Sequence, residues 1–303
     1  MKHMKYRADI DGLRAIAVLS VVIFHLNKQW LPGGFVGVDV FFVISGFLIT
    51  SIILRECSAG TFTMRNFLVR RIRRILPAST AVILASLLAG LAFYDAESLQ
   101  KLGAQALFSC FSAANVHMWI ASQDYWVLDA ESNSLLHMWS LGVEEQFYLV
   151  FPVVIMLALR IRKCGVVLAI GFILSVIASW YMLFNGKFIP FNGSIAAFYL
   201  IPSRGWELLA GGILAWYFET HPTTATISSN KNAAKAKSLI ALAGLAMIVA
   251  SFWIVSLEAN FPLPWAVLPV LGTCMVIYTG TSQRSSLAFR FLSNPTFNFI
   301  GDF

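Results

Sequence analysis

The stretch IDGLRAIAVLSVVIFHLNKQW, residues 10–30, decides the fold. It is long and apolar enough to read as a helix crossing the hydrocarbon core of a bilayer. Yet it holds Arg14 and His25. A cation or an imidazole in hydrocarbon is costly, so such groups usually face a bundle interior and serve a function. Eleven residues of helix separate the two by about 16 Å. One helix therefore carries a fixed charge toward one membrane face and a proton-transfer group toward the other. A protein working on two compartments needs that arrangement.

The rest of the chain agrees. Of its 303 residues 58% are hydrophobic and 12% charged, and the mean hydropathy is +0.74. A polytopic membrane protein has such a composition and an ordinary soluble domain does not. The first run is no cleavable leader. It contains Arg14, lacks a small-residue cleavage site, and is followed at once by a second apolar run. Cys57, Cys110, Cys164 and Cys274 show no metal spacing and suggest no disulfide framework. The formal charge of +7 is explained by Lys and Arg in cytoplasmic loops rather than by nucleic-acid binding.

The pattern predicts an all-α, polytopic transmembrane bundle. Spanning runs fall at 10–30, 35–54, 75–94, 137–159, 164–184, 195–218, 238–257 and 263–281. That is about eight complete spans, with the start of a ninth near 296. The chain stops within that last hydrophobic run, so the membrane domain, 1–303, is expected to be incomplete at its C-terminus. No soluble extracytoplasmic domain lies within it.

The run 99–120 is different, because it holds Lys101, Gln105, Ser109, Ser112, Asn115 and His117. Charge decides its reading. If it does not cross and the N-terminus is cytoplasmic, nearly all of the 22 Lys and Arg fall inside or near the inner face. Only Lys28, Lys101 and Lys187 stay outside, with Arg14 and Arg204 in spans. If it crossed, every later basic loop would flip. We therefore expect 99–120 to be a re-entrant or interfacial outer segment, with the acidic, aromatic stretch 124–131 outside too. The stretch 221–237, rich in Thr, Ser, Asn, Ala and Lys, reads as a solvated cytoplasmic loop.

Four clusters could carry chemistry. His25 suits a general base near neutral pH. Asp39, joined to it through a short Pro32-Gly33-Gly34 loop, could fix the imidazole tautomer. A bland alternative for His25 is a structural histidine, and for Asp39 a helix-start carboxylate. The second cluster is Arg70-Arg71-Ile72-Arg73-Arg74, followed by Ile75-Leu76-Pro77. Each arginine could be a positive-inside anchor. Four in five residues exceed what orientation needs, and Arg71 and Arg74 share a helix face. Guanidinium groups recognise phosphate bidentately, so the pair suits a phosphorylated cofactor; anionic lipid headgroups would satisfy it as well.

The third cluster, His137 to Tyr148, places Glu144 and Glu145 about two turns into a span, where carboxylates are expensive. Ser140 shares a face with Glu144. The alternative is a structural carboxylate paired with an arginine such as Arg204. The fourth, Ser203-Arg204-Gly205-Trp206-Glu207 with Gly211-Gly212, reads as mainly structural, its glycines permitting close helix packing. Arg204 is a possible supporting member of the site.

These residues also carry a resemblance. The segment from Tyr6 through Arg14 to Ala17, with His25 following, resembles the opening of the membrane-bound acyltransferase 3 family. So do Gly37 to Phe47, the Arg-x-x-Arg-Ile-x-Pro pattern from Arg71 to Pro77, and Trp139 to Tyr148. Four motifs in order, from residue 6 onward, make the resemblance specific. It implies about ten spans in the family, of which this chain holds fewer. Some members add an esterase-like extracytoplasmic domain.

The resemblance implies O-acyltransfer, usually of acetyl, from cytoplasmic acyl-CoA to a hydroxyl of an extracytoplasmic glycan. O-antigen of lipopolysaccharide, peptidoglycan, exopolysaccharide or a lipid-linked sugar would serve as acceptor. It assigns donor binding to Arg14, Arg71 and Arg74, catalysis to His25 and Glu144, and no metal; Asp39 joins the catalytic set from the residue reading. The protein would sit in a bacterial plasma (inner) membrane among its lipids, bind no nucleic acid, and have a cytoplasmic N-terminus. The rival reading is a proton-coupled transporter or flippase of a lipid-linked sugar, which intramembrane His, Glu and Arg would serve equally. It would not need the inner arginines, and the paired repeats common in transporters are missing.

Overall fold

A computed structural model of the protein describes residues 7–122, 134–185, 187–188, 191–221, 231–256, 261–280 and 287–302. The stretch 124–131, most of the loop before 231, and Lys2, Lys5 and Arg284 lie outside the described residues. The described chain is helical, apart from one short antiparallel pairing of Lys187–Phe188 with Phe191–Asn192. The helices are α1 (Ala8–Leu26), α2 (Gly37–Ser58), α3 (Met64–Phe93), α4 (Ala96–Cys110) and α5 (Ala114–Ala121). There follow α6 (Met138–Arg160), α7 (Cys164–Phe184), α8 (Gly193–Tyr199), α9 (Ile201–Thr220) and α10 (Lys231–Ile254). The last three are α11 (Val267–Gly280), α12 (Leu287–Leu292) and α13 (Pro295–Asp302).

Among the described residues five helices are long and apolar enough to cross a membrane: Gly34–Ser58, Met64–Phe93, Met138–Arg160, Cys164–Phe184 and Asn232–Ile254. That is fewer than the eight expected, for identifiable reasons. In α1 the charges of Asp9, Asp11 and Arg14 dilute an otherwise apolar helix. The run 195–218 is divided: α8 ends at Tyr199, Leu200 is extended, and α9 begins at Ile201. Pro202, in the first turn of α9, has no N–H to donate to Phe198, which favours the break, although Pro77 and Pro152 sit inside the continuous helices α3 and α6; α9 itself, 20 residues long, is diluted by Arg204 and Glu207. The run 263–281 yields α11, whose 14 residues span only about 21 Å.

Two other boundaries move. Helix α3 starts at Met64 rather than near 75, so the arginine cluster lies on the same rod as the apolar segment. Helix α10 starts at Lys231, so 231–237 is helix rather than loop. The segment 99–120 divides into α4 and α5 around Ser112, whose φ of 56° lies in the left-handed region. At about 1.5 Å per residue neither piece reaches across a core of about 30 Å.

The chain clusters into two compact units, 1–52 with 168–172 and 206–303, and 53–167 with 173–205. In the first, α1 is flanked by α11, α12 and α13, and α10 packs along α11. Small residues let backbones meet. A Cβ on Gly12 would lie 2.1 Å from the Leu292 carbonyl oxygen, and one on Gly46 would lie 1.8 Å from that of Leu208. Gly211 meets Val43 in the same way, so α2 and α9 approach at backbone distance, as small-residue helix packing in membranes allows. In the second unit α5 packs on α6 and α8, and α4 on α3. A small core there joins Ile83, Leu102, Ala106, Ala114, Leu135 and Met138.

Candidate functional site

In the first unit the N-terminal turn of α1 is a charged knot. Arg7 donates to both Asp9 oxygens, at 2.7 and 2.5 Å, and to the Ile277 carbonyl at 3.1 Å. Asp9 is only 1% exposed. One turn on, Arg14 pairs with Asp11 at 3.3 Å, and both side chains are largely covered. Two carboxylates sit at the positive end of a helix dipole, each with an arginine, which makes their burial tolerable. Asp11 is thus a counter-ion that the sequence reading missed, although its three-residue spacing from Arg14 is visible there.

His25 lies at the other end of α1, in its last turn, and is exposed. Its Nδ1 is 2.8 Å from the Val21 carbonyl oxygen. A carbonyl only accepts, so in this contact Nδ1 is the donor, and Nε2 is the nitrogen left to accept when the ring is neutral. A main-chain oxygen one turn back thus holds Nδ1. Asp39 is fully buried in the first turn of α2. The approach to α2 runs down α1, with Gly34 against Ser20 and Phe24, then Gly37 against Ala17 and Ser20. Two residues further, Asp39 lies about 3 Å nearer the Arg14 end. There it meets the positive end of the α2 dipole.

The second unit holds Arg71, Arg74, Ser140, Glu144 and Arg204. The arginines of α3 differ in environment. Arg70 makes a two-pronged bond to Glu56, at 2.7 and 2.8 Å. Arg71 is half-buried, its guanidinium 5.9 Å from the centre of the Phe67 ring. Arg74 is exposed. On α6, Tyr148 donates to Glu144 at 2.7 Å, while the Ser140 hydroxyl donates to the His137 carbonyl at 3.2 Å. Arg204, 1% exposed, lies over the faces of Trp139 and Phe198, at 5.6 and 5.8 Å. Such a cation–π box suits a desolvated guanidinium.

A second polar cluster had no clear sequence signal. Asn115 is fully buried and exchanges amide hydrogen bonds with Gln146, at 2.8 and 3.4 Å. Gln146 also donates to the Ser112 carbonyl at 2.8 Å, and Asn115 to that of Tyr199 at 3.1 Å. Near it, burial pushes the His117 imidazole below its ordinary pKa, against the Phe108 ring. Among the described residues no group of three or more His, Cys, Asp or Glu could hold a metal ion.

Comparison with known proteins gives a consistent set. The acyltransferase 3 family model, described as "Acyltransferase domain", matches residues 7–301. A Staphylococcus aureus protein named "Putative O-acetyltransferase" is 34% identical over 309 residues, covering 99% of this chain and 49% of its own. The O-acetyltransferase OatA of Staphylococcus aureus is 34% identical over 304 residues, with the same coverage. A Bacillus subtilis protein named "Putative peptidoglycan O-acetyltransferase YrhL" is 37% identical over 215 residues, covering 71% of this chain and 34% of its own. This chain spans about half the length of the curated relatives it matches. No solved structure matches it.

Proposed function

Because the chain belongs to the acyltransferase 3 family, we propose that it is the membrane part of an O-acetyltransferase of cell-envelope glycan. The acetyl group comes from acetyl-CoA on the cytoplasmic side and goes to a sugar hydroxyl outside. Relatives named for O-acetyl transfer, one of them for peptidoglycan, make a polymeric glycan the favoured acceptor. The protein sits in a bacterial plasma membrane with its N-terminus in the cytoplasm. About eight segments cross, counting α1, the α8–α9 pair and α11 with the five long apolar helices, and 96–121 stays at the outer surface.

The observation that carries this reading is α1 itself: Arg14 paired and covered at one end, an exposed His25 with Nε2 left to accept at the other. In the proposed reaction His25 Nε2 takes the proton of the acceptor hydroxyl as it attacks the acetyl carbonyl. Arg71 and Arg74, on the cytoplasmic part of α3, hold the donor's phosphates, with Arg14 assisting; the bond from the acetyl carbon to the CoA sulfur breaks, and CoA leaves as the thiol, gaining a proton in place of the one that His25 accepted. Glu144, bonded to Tyr148, supports the reacting groups electrostatically. His25 and the α3 arginines belong to different compact units, so their joint assignment rests on the family's motifs. Arg204 supports α6 by its stacking on Trp139.

The test separates donor binding from transfer. In proteoliposomes with labelled acetyl-CoA and soluble peptidoglycan fragments, the wild type should release free CoA and acetylate the glycan. His25→Gln keeps a hydrogen-bonding side chain but takes no proton at neutral pH. It should bind donor normally and transfer nothing. Full transfer by His25→Gln would make His25 structural. Glycan-independent behaviour, with lipid-linked sugar moved across the bilayer, would establish the transporter reading instead.

A further inference from the structure

The Asn115–Gln146 pair grips α6 from behind. Gly142 and Gln146 stand four residues apart and face α5, where a Cβ on Gly142 would lie 2.9 Å from Asn115 Oδ1. Ser140, Glu144 and Tyr148 form a second stripe at the same spacing. At about 100° per residue, Glu144 points roughly 200° from Gly142 and from Gln146, on the far side of the helix. Every polar atom of the grip is engaged on the α5 side or at the α8–α9 break. Gln146 holds the Ser112 carbonyl, which the left-handed φ of 56° at that residue helps present. Asn115 holds the Tyr199 carbonyl, one of the acceptors left over where α8 ends.

We infer that Asn115 and Gln146 are positioning residues of the proposed transferase, fixing the axial rotation of α6 and hence where Glu144 and Tyr148 point. The inference rests on the proposed reaction for its catalytic consequence, though not for its geometry. A reciprocal amide pair suits this task because it has one register. Rotating α6 by a single residue position would break both bonds and leave a fully buried amide unpaired, which an apolar contact would not penalise. The same side chain ties down the segment that carries Phe198, on which Arg204 rests.

Three variants test it: Gln146→Met, which keeps length without amide bonds; Asn115→Asp, which sets a carboxylate against the Tyr199 carbonyl; and the exchange of Asn115→Gln with Gln146→Asn. Each is measured for kcat and KM toward glycan. Separately, single cysteines at 140, 141, 143 and 144, in a background without native cysteines, are scanned for maleimide reactivity. Misplacement by about 1 Å can cost on the order of 100-fold in rate. We expect the two single variants to lose at least about tenfold in kcat with KM little changed. The labelling maximum along α6 should shift, and the exchange variant should recover both. A lowered melting temperature with unchanged kcat and an unchanged labelling pattern would overturn the inference, leaving a simple brace. If wild-type protein transfers no acetyl group while labelling still shifts in Gln146→Met, the proposed reaction fails and the positioning geometry stands.

Discussion

At the residue scale, α3 shows that neighbouring cations of one type are not equivalent. Arg70 is already neutralised by Glu56, whereas Arg71 rests on an aromatic face and Arg74 faces out. Phosphate binding by the last two predicts a graded outcome. Arg71→Ala and Arg74→Ala should each weaken acyl-CoA binding by roughly 10- to 150-fold, from the loss of a charged contact worth about 1.5–3 kcal/mol. Arg70→Ala should change it far less, because that guanidinium is committed to a carboxylate. Calorimetry on detergent-solubilised protein gives all three affinities. Equal losses in all three would mean a diffuse electrostatic patch, and no loss in any would reduce the cluster to a topology anchor.

At the element scale, the helices are joined by contacts that only the absence of a side chain permits. Gly46 is the sharpest case within a helix, since a Cβ there would fall 1.8 Å from a main-chain oxygen of α9. Backbone cannot step aside as a flexible side chain would. Gly46→Ala should therefore force α2 and α9 apart and destabilise the protein by about 1–3 kcal/mol, like other overpacked sites. Gly103, inside α4, has nothing within 4 Å of its added Cβ. Gly103→Ala should be stabilising by about 0.5–1 kcal/mol, because alanine loses less entropy in a helix. Thermal melts in one detergent compare them. A harmless Gly46→Ala would show that α2 and α9 are not held at backbone contact.

At the scale of the whole molecule, the proposed orientation puts 96–121 outside and the turn between α6 and α7 inside. Ser122 follows α5, and Lys163 is an exposed residue of that turn. A membrane-impermeant maleimide added to intact cells should modify Ser122→Cys and spare Lys163→Cys until the membrane is opened. The opposite pattern would reverse the orientation and place the α3 arginines outside, away from any cytoplasmic donor. Labelling of both would put the two sites on the same side, with an even number of crossings between them instead of the one that α6 provides.

The sequence by itself determined that the chain is a helical membrane protein, which family it belongs to, and which charged residues stand in unusual places. Those are properties of composition, period and local motif: apolar runs, the Arg14–His25 spacing, the Arg71–Arg74 face. The i,i+3 spacing of Asp11 and Arg14 and the i,i+4 spacing of Tyr148 and Glu144 stand in the sequence too, although neither pairing was expected from it; partners on one helix need no tertiary information. Tertiary structure alone decided the rest. That α8 and α9 are separate, and 99–120 divides at Ser112, depends on where freed carbonyls find partners, such as Asn115 for Tyr199 and Gln146 for Ser112. Those partners lie tens of residues away, and no local period records them. The main-chain carbonyl that orients His25 leaves no mark on the sequence at all, because every residue supplies one and only the rotamer selects it.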